Sequence, residues 1–487
     1  MTLSHLKPQR VWKHFYSLTQ IPRPSKHEGK AVQFLEKFGK DLGLETIKDE
    51  IGNVIIRKPA TPGMENRMGI ILQAHIDMVP QKNNDKVHDF KKDPIQPRIV
   101  SKEDGDWLYA TGTTLGADNG LGCAVAMAVM EADDLVHGPV EALFTVDEET
   151  GMTGARGLKP GILKGDILIN LDSETEGELY VGCAGGLDAT AIFKYREKPL
   201  PKGHEVLAIH VKGLRGGHSG MEIHEGRGNA NKVMMRVLLP ALRDLKAKLV
   251  SIEGGNLRNA IPREAVAVVA LPPSKVKALQ EIVDSVLAKV KNEYANIDPN
   301  IEIFLEKTKG KNMMCGQVAL KMAKAVYACP NGVDRMSLEM ADLVETSNNL
   351  AIVKSEDGQI FVKCLMRGSI DSAKEDLSEA IRATFELAGA EVTLSGGYSG
   401  WQPNMKSPIL KTMKETYFNL FGKEAEVTAV HAGLECGILG SKYPNWDMIS
   451  CGPTILSPHS PDERVFIPSV DKWWEFIVAA LADAPKK

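Results

Sequence analysis

The chain has 487 residues, 59 basic against 63 acidic, for a net charge of −4; that length suits two cores rather than one, and the near-balanced charge argues against nucleic acid or an anionic membrane as partner. Met1 to Tyr16 carries Lys7, Arg10 and Lys13 without an apolar segment, and no apolar run is long enough to span a bilayer. The seven cysteines (Cys123, Cys183, Cys315, Cys329, Cys364, Cys436, Cys451) are scattered and form no CxxC pair, so a cytoplasmic protein with reduced, buried thiols is expected, a catalytic thiol being the remote alternative.

Along the chain, Lys30 to Leu42 has the apolar spacing of an amphipathic helix, followed by strands at Asn53 to Arg57 and Gly69 to Ala74. Three apolar stretches, Met68 to Ala74, Val140 to Val146 and Asp166 to Leu171, are too short for helices and right for strands. Leu121 to Met130 reads as a buried helix opening directly after Gly116-Ala117-Asp118-Asn119-Gly120. Strands alternating with helices make residues 1–185 the first part of a layered α/β domain.

The style changes at Gly182 to Gly186, after which Ala189 to Tyr195 and Val206 to Lys212 alternate as strands of a partly solvated sheet. Two stretches share one plan: Asn259 to Leu271 followed by helical Pro273 to Lys291, and Ser347 to Leu365 followed by helical Ser372 to Ala388. Residues 186–401 are thus expected to be an α+β domain of two repeated strand-strand-helix units. Ser395 to Gly400, rich in glycine and serine, reads as a hinge or a tight crossing out of it, and residues 402–487 follow.

Acids and histidines gather where the early strands stop: His75-Ile76-Asp77, Asp118, Glu148-Glu149 and Asp172, with His459 far downstream. Such ends are where open α/β sheets place their chemistry, and the set resembles the donors of two metal ions. Two neighbouring cations need mixed imidazole and carboxylate donors and one carboxylate with an oxygen for each. Asp118, in a glycine-flanked turn, is the best bridge. His75 and Asp172 would complete one metal, Glu149 and His459 the other. If His459 joins the early acids, the C-terminal stretch returns to the first domain and the middle one is an insertion.

Each piece also has an ordinary explanation. A His-x-Asp is common, Asp172 beside Ser173 suits a helix N-cap, and prolines flanking His459 could simply stiffen a surface loop. Two residues beyond His75 in extended backbone, Asp77 points the same way as the histidine and suits a supporting acid that orients it. The adjacent Glu148 and Glu149 repel unless cations or solvent compensate; a surface turn is one reading, and the other divides them into a metal ligand and a proton-transferring base.

Together these residues resemble the M20 family of dinuclear zinc peptidases, in particular its aminoacyl-histidine dipeptidase branch. The matching pieces are Ala74 to Val79, Thr114 to Gly120, Phe144 to Gly151, Asn170 to Asp172, Gly216 to Gly220 and Pro458 to Ser460. The resemblance implies a discontinuous zinc-peptidase domain, a mixed sheet with flanking helices, carrying an inserted α+β lid domain. It implies two zinc ions held by His75, Asp118, Glu149, Asp172 and His459, with Glu148 as general base, Asp77 in support and a cis peptide between Asp118 and Asn119. It further implies that His218 steadies the oxyanion, and that Asn259 and Arg367 meet substrate, the arginine at a terminal carboxylate. The segment His431 to Gly437 matches the family's substrate-facing stretch. There Gly433 would let backbone approach a ligand and Glu435 would meet a substrate amine, unless either is a helix start.

The expected reaction is hydrolysis of dipeptides, Xaa-His among them, by metal-activated water with Glu148 moving the proton. Other members deacylate N-acyl amino acids or trim tripeptides, and a metal-stabilised binding protein without turnover is the rival from another class. Manganese or cobalt could replace zinc in such donor sets, and relatives include dimers.

Overall fold

Short apolar runs without polar alternation are what a parallel sheet covered on both faces requires. Three of them, Ile70–His75, Val140–Thr145 and Ile167–Asn170, are buried at every position in the computed structural model, which describes residues 3–487. The chain divides into two units: Met1–Gly182, Pro403–Ala429 and Leu434–Lys487 form the first, Cys183–Gln402 and Val430–Gly433 the second. The expected boundaries lie at 185 and 401; the return of residues 430–433 to the second unit left no mark in composition.

The first unit is built on an eight-stranded mixed sheet in the order Glu45–Lys48, Val54–Lys58, Val140–Thr145, Ile70–His75, Ile167–Asn170, Asp447–Ser450, Glu178–Cys183 and Glu426–Val430. Four neighbouring strands, from Val140–Thr145 to Asp447–Ser450, run parallel, so their C-terminal ends share one edge. In register, His75 lies beside Thr145 and Gln73 beside Asn170.

The helix Ala117–Glu131 packs against the strand Ile70–His75 and the helix Gln9–Thr19 and is buried over nearly its whole length. It starts earlier than the apolar run suggests, because Asp118 and Asn119 are included although their φ/ψ are not helical. A smaller sheet orders Ile455–Leu456, Arg464–Phe466, Gly105–Ala110 and Pro97–Lys102. Its first two strands clamp both ends of the loop that carries His459.

The second unit is a nine-stranded antiparallel sheet with helices packed on one apolar core, to which Val233, Leu238, Val283, Val326 and Ile381 contribute. Two hairpins, each followed by a helix and a strand, lie in this unit. Lys248–Gly254 and Ala265–Leu271 form a hairpin followed by the helix Val276–Glu293 and the strand Glu302–Lys307. Val344–Glu356 and Gln359–Gly368 form the other, followed by Asp371–Leu387 and Glu391–Tyr398. Glu302–Lys307 pairs with Glu205–Lys212 and Glu391–Tyr398 with Gly185–Lys194, so the sheet order reads alike from both ends. The first stretch does not supply two sheet strands, as expected, because Ala260–Ile261 leaves the sheet to pair with Gly217–His218.

From Ser395 the chain stays paired with the strand Gly185–Lys194 as far as Tyr398, with an irregularity between them, and a Cβ on Gly400 would stand 2.5 Å from the Gly368 carbonyl oxygen. None of the seven cysteines forms a disulfide, and all but Cys315 are buried. No helix among the described residues is long and apolar enough to cross a membrane.

Candidate metal centre

The parallel strand ends bring the early donors to one place, and the clamped loop adds the last. His75 closes its strand, Glu148 and Glu149 open a short helix after Thr145, and Asp172 follows Asn170 by two residues. Asp118 Oδ1 lies 3.0 Å from His75 Nε2, while its Oδ2 lies 3.1 Å from His459 Nε2. Asp172 Oδ1 is 3.3 Å from His75 Nε2, and Glu149 Oε2 is 3.0 Å from His459 Nε2. Asp118 thus turns one oxygen to each imidazole, with Asp172 on the His75 side and Glu149 on the His459 side. The Asp118–Asn119 peptide is cis.

Asp77, fully buried, has its Oδ1 3.4 Å from His75 Nδ1. The same carboxylate accepts the backbone N–H groups of Glu148 at 3.0 Å and Glu149 at 3.3 Å, so it serves the glutamate pair as well as the histidine. Nearby Glu28, Asp77 and Asp147 also cluster. Their oxygens already accept from the N–H of Lys26, Asp147, Glu148 and Glu149 and from the hydroxyls of Thr150 and Thr153, which leaves that cluster satisfied without a cation.

The electrostatics of the centre are those of too many buried anions. Burial, only partly offset by His75 and reinforced by Asp172, Glu435 and Glu149, raises the Glu148 carboxyl well above its usual range. Burial likewise raises Glu149 and Asp172 against the pull of His459 and His75 respectively. For His75, burial opposes charging but is outweighed by Asp172, Asp118 and Asp77, and the imidazole is raised well above its ordinary value. Hydrogen bonds to Asp118 and Glu149 push His459 up to about 11. Glu149 Oε1 is buried with no hydrogen-bond partner. An uncompensated carboxylate cluster, an orphaned carboxylate oxygen and two imidazoles on one two-faced aspartate fit divalent cations in type and placement. His75, Asp118 and Asp172 could hold one ion, and Asp118, Glu149 and His459 another.

Three supporting residues escaped the sequence reading. Arg23, 1% exposed, donates to the carbonyls of Ile76 at 2.7 Å, Asp77 at 3.0 Å and Gly116 at 2.5 Å, tying the His75 loop to the Asp118 turn. Glu463 is buried against the backbone of that same turn. Glu174, which burial and the neighbouring Asp118 and Asp172 raise to about 8, lies beside the centre. Arginines and glutamates are mostly surface residues, so no spacing or residue type singled these out.

Glu435 departs from its expected role. It is fully buried at the start of the helix Glu435–Lys442, where Oε2 accepts from Gln73 Nε2 and Thr145 Oγ1, each at 2.6 Å. Burial, partly offset by Thr145, raises it to about 7. From Gln73 a buried chain continues through Asn170 and Ser450 to Ser173. A carboxylate with no accessible surface offers no face to a substrate amine; Glu435 ties Gln73 and Thr145 together through Oε2, and the helix-start alternative is the one realised.

In the second unit, His218 pairs with Ala260 across a two-residue ladder, and its Nδ1 accepts the N–H groups of Gly220 at 3.3 Å and Met221 at 3.0 Å. Burial, with Arg367, lowers this imidazole to about 4, so it is neutral with its proton on Nε2. Arg367 is 5% exposed, with Ser219 Oγ and Tyr398 Oη each 3.5 Å away. Asn259 is exposed, and its carbonyl accepts the Ser219 N–H. His431, 6% exposed and 2.7 Å from Ser347 Oγ, is lowered to about 3 by burial and Arg367. Gly433, half-buried, ends the short return of the chain to this unit.

Residues 71–483 match the profile of Peptidase family M20/M25/M40. The chain belongs to this family. It is 46% identical over 486 residues to the cytosol non-specific dipeptidase of Escherichia coli, a match that spans 100% of this chain and 99% of that one. The crystal structure of aminoacylhistidine dipeptidase from Vibrio alginolyticus superposes with a TM-score of 0.92 at 46% identity, covering 99% of this chain and 98% of the other. Aminopeptidase PepT from Bacillus cereus, at 17% identity and a TM-score of 0.57, covers 98% of this chain and 99% of its own and shares the fold.

Proposed function

We propose that this chain is a cytoplasmic dinuclear zinc dipeptidase that hydrolyses short dipeptides, Xaa-His among them. The observation that carries it is Asp118, with one oxygen 3.0 Å from His75 and the other 3.1 Å from His459, the placement a bridging carboxylate needs. Two relatives matched end to end are both named dipeptidases, and one name specifies aminoacylhistidine.

His75, Asp118, Glu149, Asp172 and His459 would hold the ions, which when bound supply Lewis acidity toward a carbonyl and lower the pKa of water. Glu148 carries the proton. Its carboxyl is held above the usual range by burial and neighbouring anions, and a raised pKa suits a group that takes a proton from water and returns it to the leaving amine. Asp77 fixes the Glu148 backbone through its N–H. His218, neutral with Nδ1 engaged by backbone, has Nε2–H to donate where negative charge develops on the substrate oxygen. Arg367 is the cation for a terminal carboxylate, with Asn259 and Gly433 as further substrate contacts.

Metal analysis of the purified protein together with a panel of a Xaa-His dipeptide, an N-acetyl amino acid and a tripeptide tests this reading. The expectation is two zinc ions per chain and turnover of the dipeptide well above the others. Two zinc ions without hydrolysis of any amide would favour a binding protein. Glu148→Ala should keep its metal and lose about 10³-fold in kcat; near-normal turnover would remove Glu148 from the reaction.

A further inference from the structure

Glu463 stands four residues beyond His459, on the loop whose ends are clamped by Ile455–Leu456 and Arg464–Phe466. Its side chain is 2% exposed. Oε2 accepts the backbone N–H groups of Leu115 at 2.6 Å and Gly116 at 3.0 Å, and Oε1 those of Ala117 at 2.7 Å and Asp118 at 3.3 Å. Four successive main-chain donors therefore converge on one carboxylate, an anion cradled by consecutive amides. From another direction Arg23 holds the carbonyl of Gly116 at 2.5 Å, in a turn that Gly116 enters at φ 68°.

That turn carries Asp118, and a carboxylate facing two imidazoles has little tolerance for backbone drift. If the Asp118 backbone turned, one oxygen would leave His75 as the other moved on His459. Glu463 meets the turn by its side chain while its own loop delivers His459. One group thus ties the donor shared by both candidate ion positions to an imidazole of one of them.

We infer that Glu463 is a positioning residue of the metal centre, a carboxylate that locks the Leu115–Asp118 amides so that Asp118 and His459 are held in register for cation binding. The inference rests on reading His75, Asp118 and His459 as metal ligands. Its special feature is chemical: the four amide donors need an acceptor at both side-chain oxygens. Glutamine keeps the size but turns an NH2 donor against two N–H donors, whereas aspartate keeps both acceptors and withdraws them by one methylene.

The test compares the wild-type enzyme with Glu463→Gln and Glu463→Asp by zinc affinity in competition with a chromogenic chelator. Amide hydrogen exchange at residues 115–118, melting temperature, and kcat and KM at saturating zinc complete it. For Glu463→Gln the dissociation constant of at least one zinc should rise tenfold or more, exchange at 115–118 should quicken by at least tenfold, and kcat should fall while KM changes less than twofold. Glu463→Asp should recover part of the zinc affinity. A folded Glu463→Gln enzyme with zinc affinity within twofold of wild type and unchanged exchange overturns the inference, as does a lowered melting temperature with unchanged zinc affinity. Should Glu463→Gln fail to fold, Glu463→Asp is judged by the same two thresholds. A wild-type enzyme that binds no zinc would sink the metal-ligand reading and this inference with it, whereas normal wild-type binding with an indifferent Glu463→Gln sinks the inference alone.

Discussion

Asp77 shows what residue spacing conveys and where it stops. Two positions after His75 in extended backbone it must point as the histidine does, and its Oδ1 lies 3.4 Å from His75 Nδ1. Its second duty, accepting the N–H groups of Glu148 and Glu149, involves residues some seventy positions away and had no local signature. Glu435 is the opposite case, a residue whose motif suggested substrate and whose burial says support. Replacing it with alanine takes the 2.6 Å acceptor from the Gln73 amide and the Thr145 hydroxyl, leaving them only Thr145 Oγ1 at 3.2 Å and the Ala74 carbonyl at 3.4 Å, a loss of about 1–3 kcal/mol in all. Glu435→Ala should therefore lower the urea midpoint clearly, and Glu435→Gln, whose carbonyl can still accept both, much less. Equal losses from the two variants would mean that packing rather than these hydrogen bonds is what Glu435 supplies.

At the scale of elements, the parallel strands were legible because strands buried on both faces read as unbroken apolar runs. The helix after Gly120 was legible for the same reason, but its distorted first turn was not: contacts from Arg23 and Glu463 shape it, and Asn119 Nδ2 donates to Asp172 Oδ1. The strands flanking the His459 loop have two and three residues, too few to show alternation. Helix and strand end meet closely at Gly122, where a Cβ would overlap Asn119 Oδ1 and stand 2.7 Å from the Leu171 carbonyl oxygen. Gly122→Ala should push Asn119 off Asp172, lowering zinc affinity by at least tenfold in chelator competition while far-ultraviolet circular dichroism stays native. An unchanged affinity would show that the strand end yields without moving Asp172.

At the scale of the whole molecule, all five proposed metal ligands belong to the first unit, although His459 is separated from the others by the entire second unit in sequence. Cations that bind only the folded state stabilise it by about 2.7 kcal/mol at a free concentration of 100 Kd. Calorimetry should therefore show the transition of the first unit falling in a chelator and recovering with added zinc. A thermogram indifferent to both would argue that these donors hold no ion. In the second unit the stretch from Asn259 was read as sheet, whereas Ala260–Ile261 pairs with Gly217–His218, a pairing with no local signature.

From sequence alone came the donor residue types, their places at strand ends and the proposal that the first domain is discontinuous. Apolar runs and chemically restricted residues declare themselves by type and spacing. Tertiary structure alone decided that Asp118 shows one oxygen to each imidazole, that His218 Nδ1 accepts backbone N–H groups, that Glu435 is buried against Gln73 and Thr145, and that Arg23 and Glu463 grip the Asp118 turn. These are matters of backbone amides, carbonyls and burial, and every residue has the same backbone groups whatever its side chain, so their convergence on one point exists only once distant segments have packed.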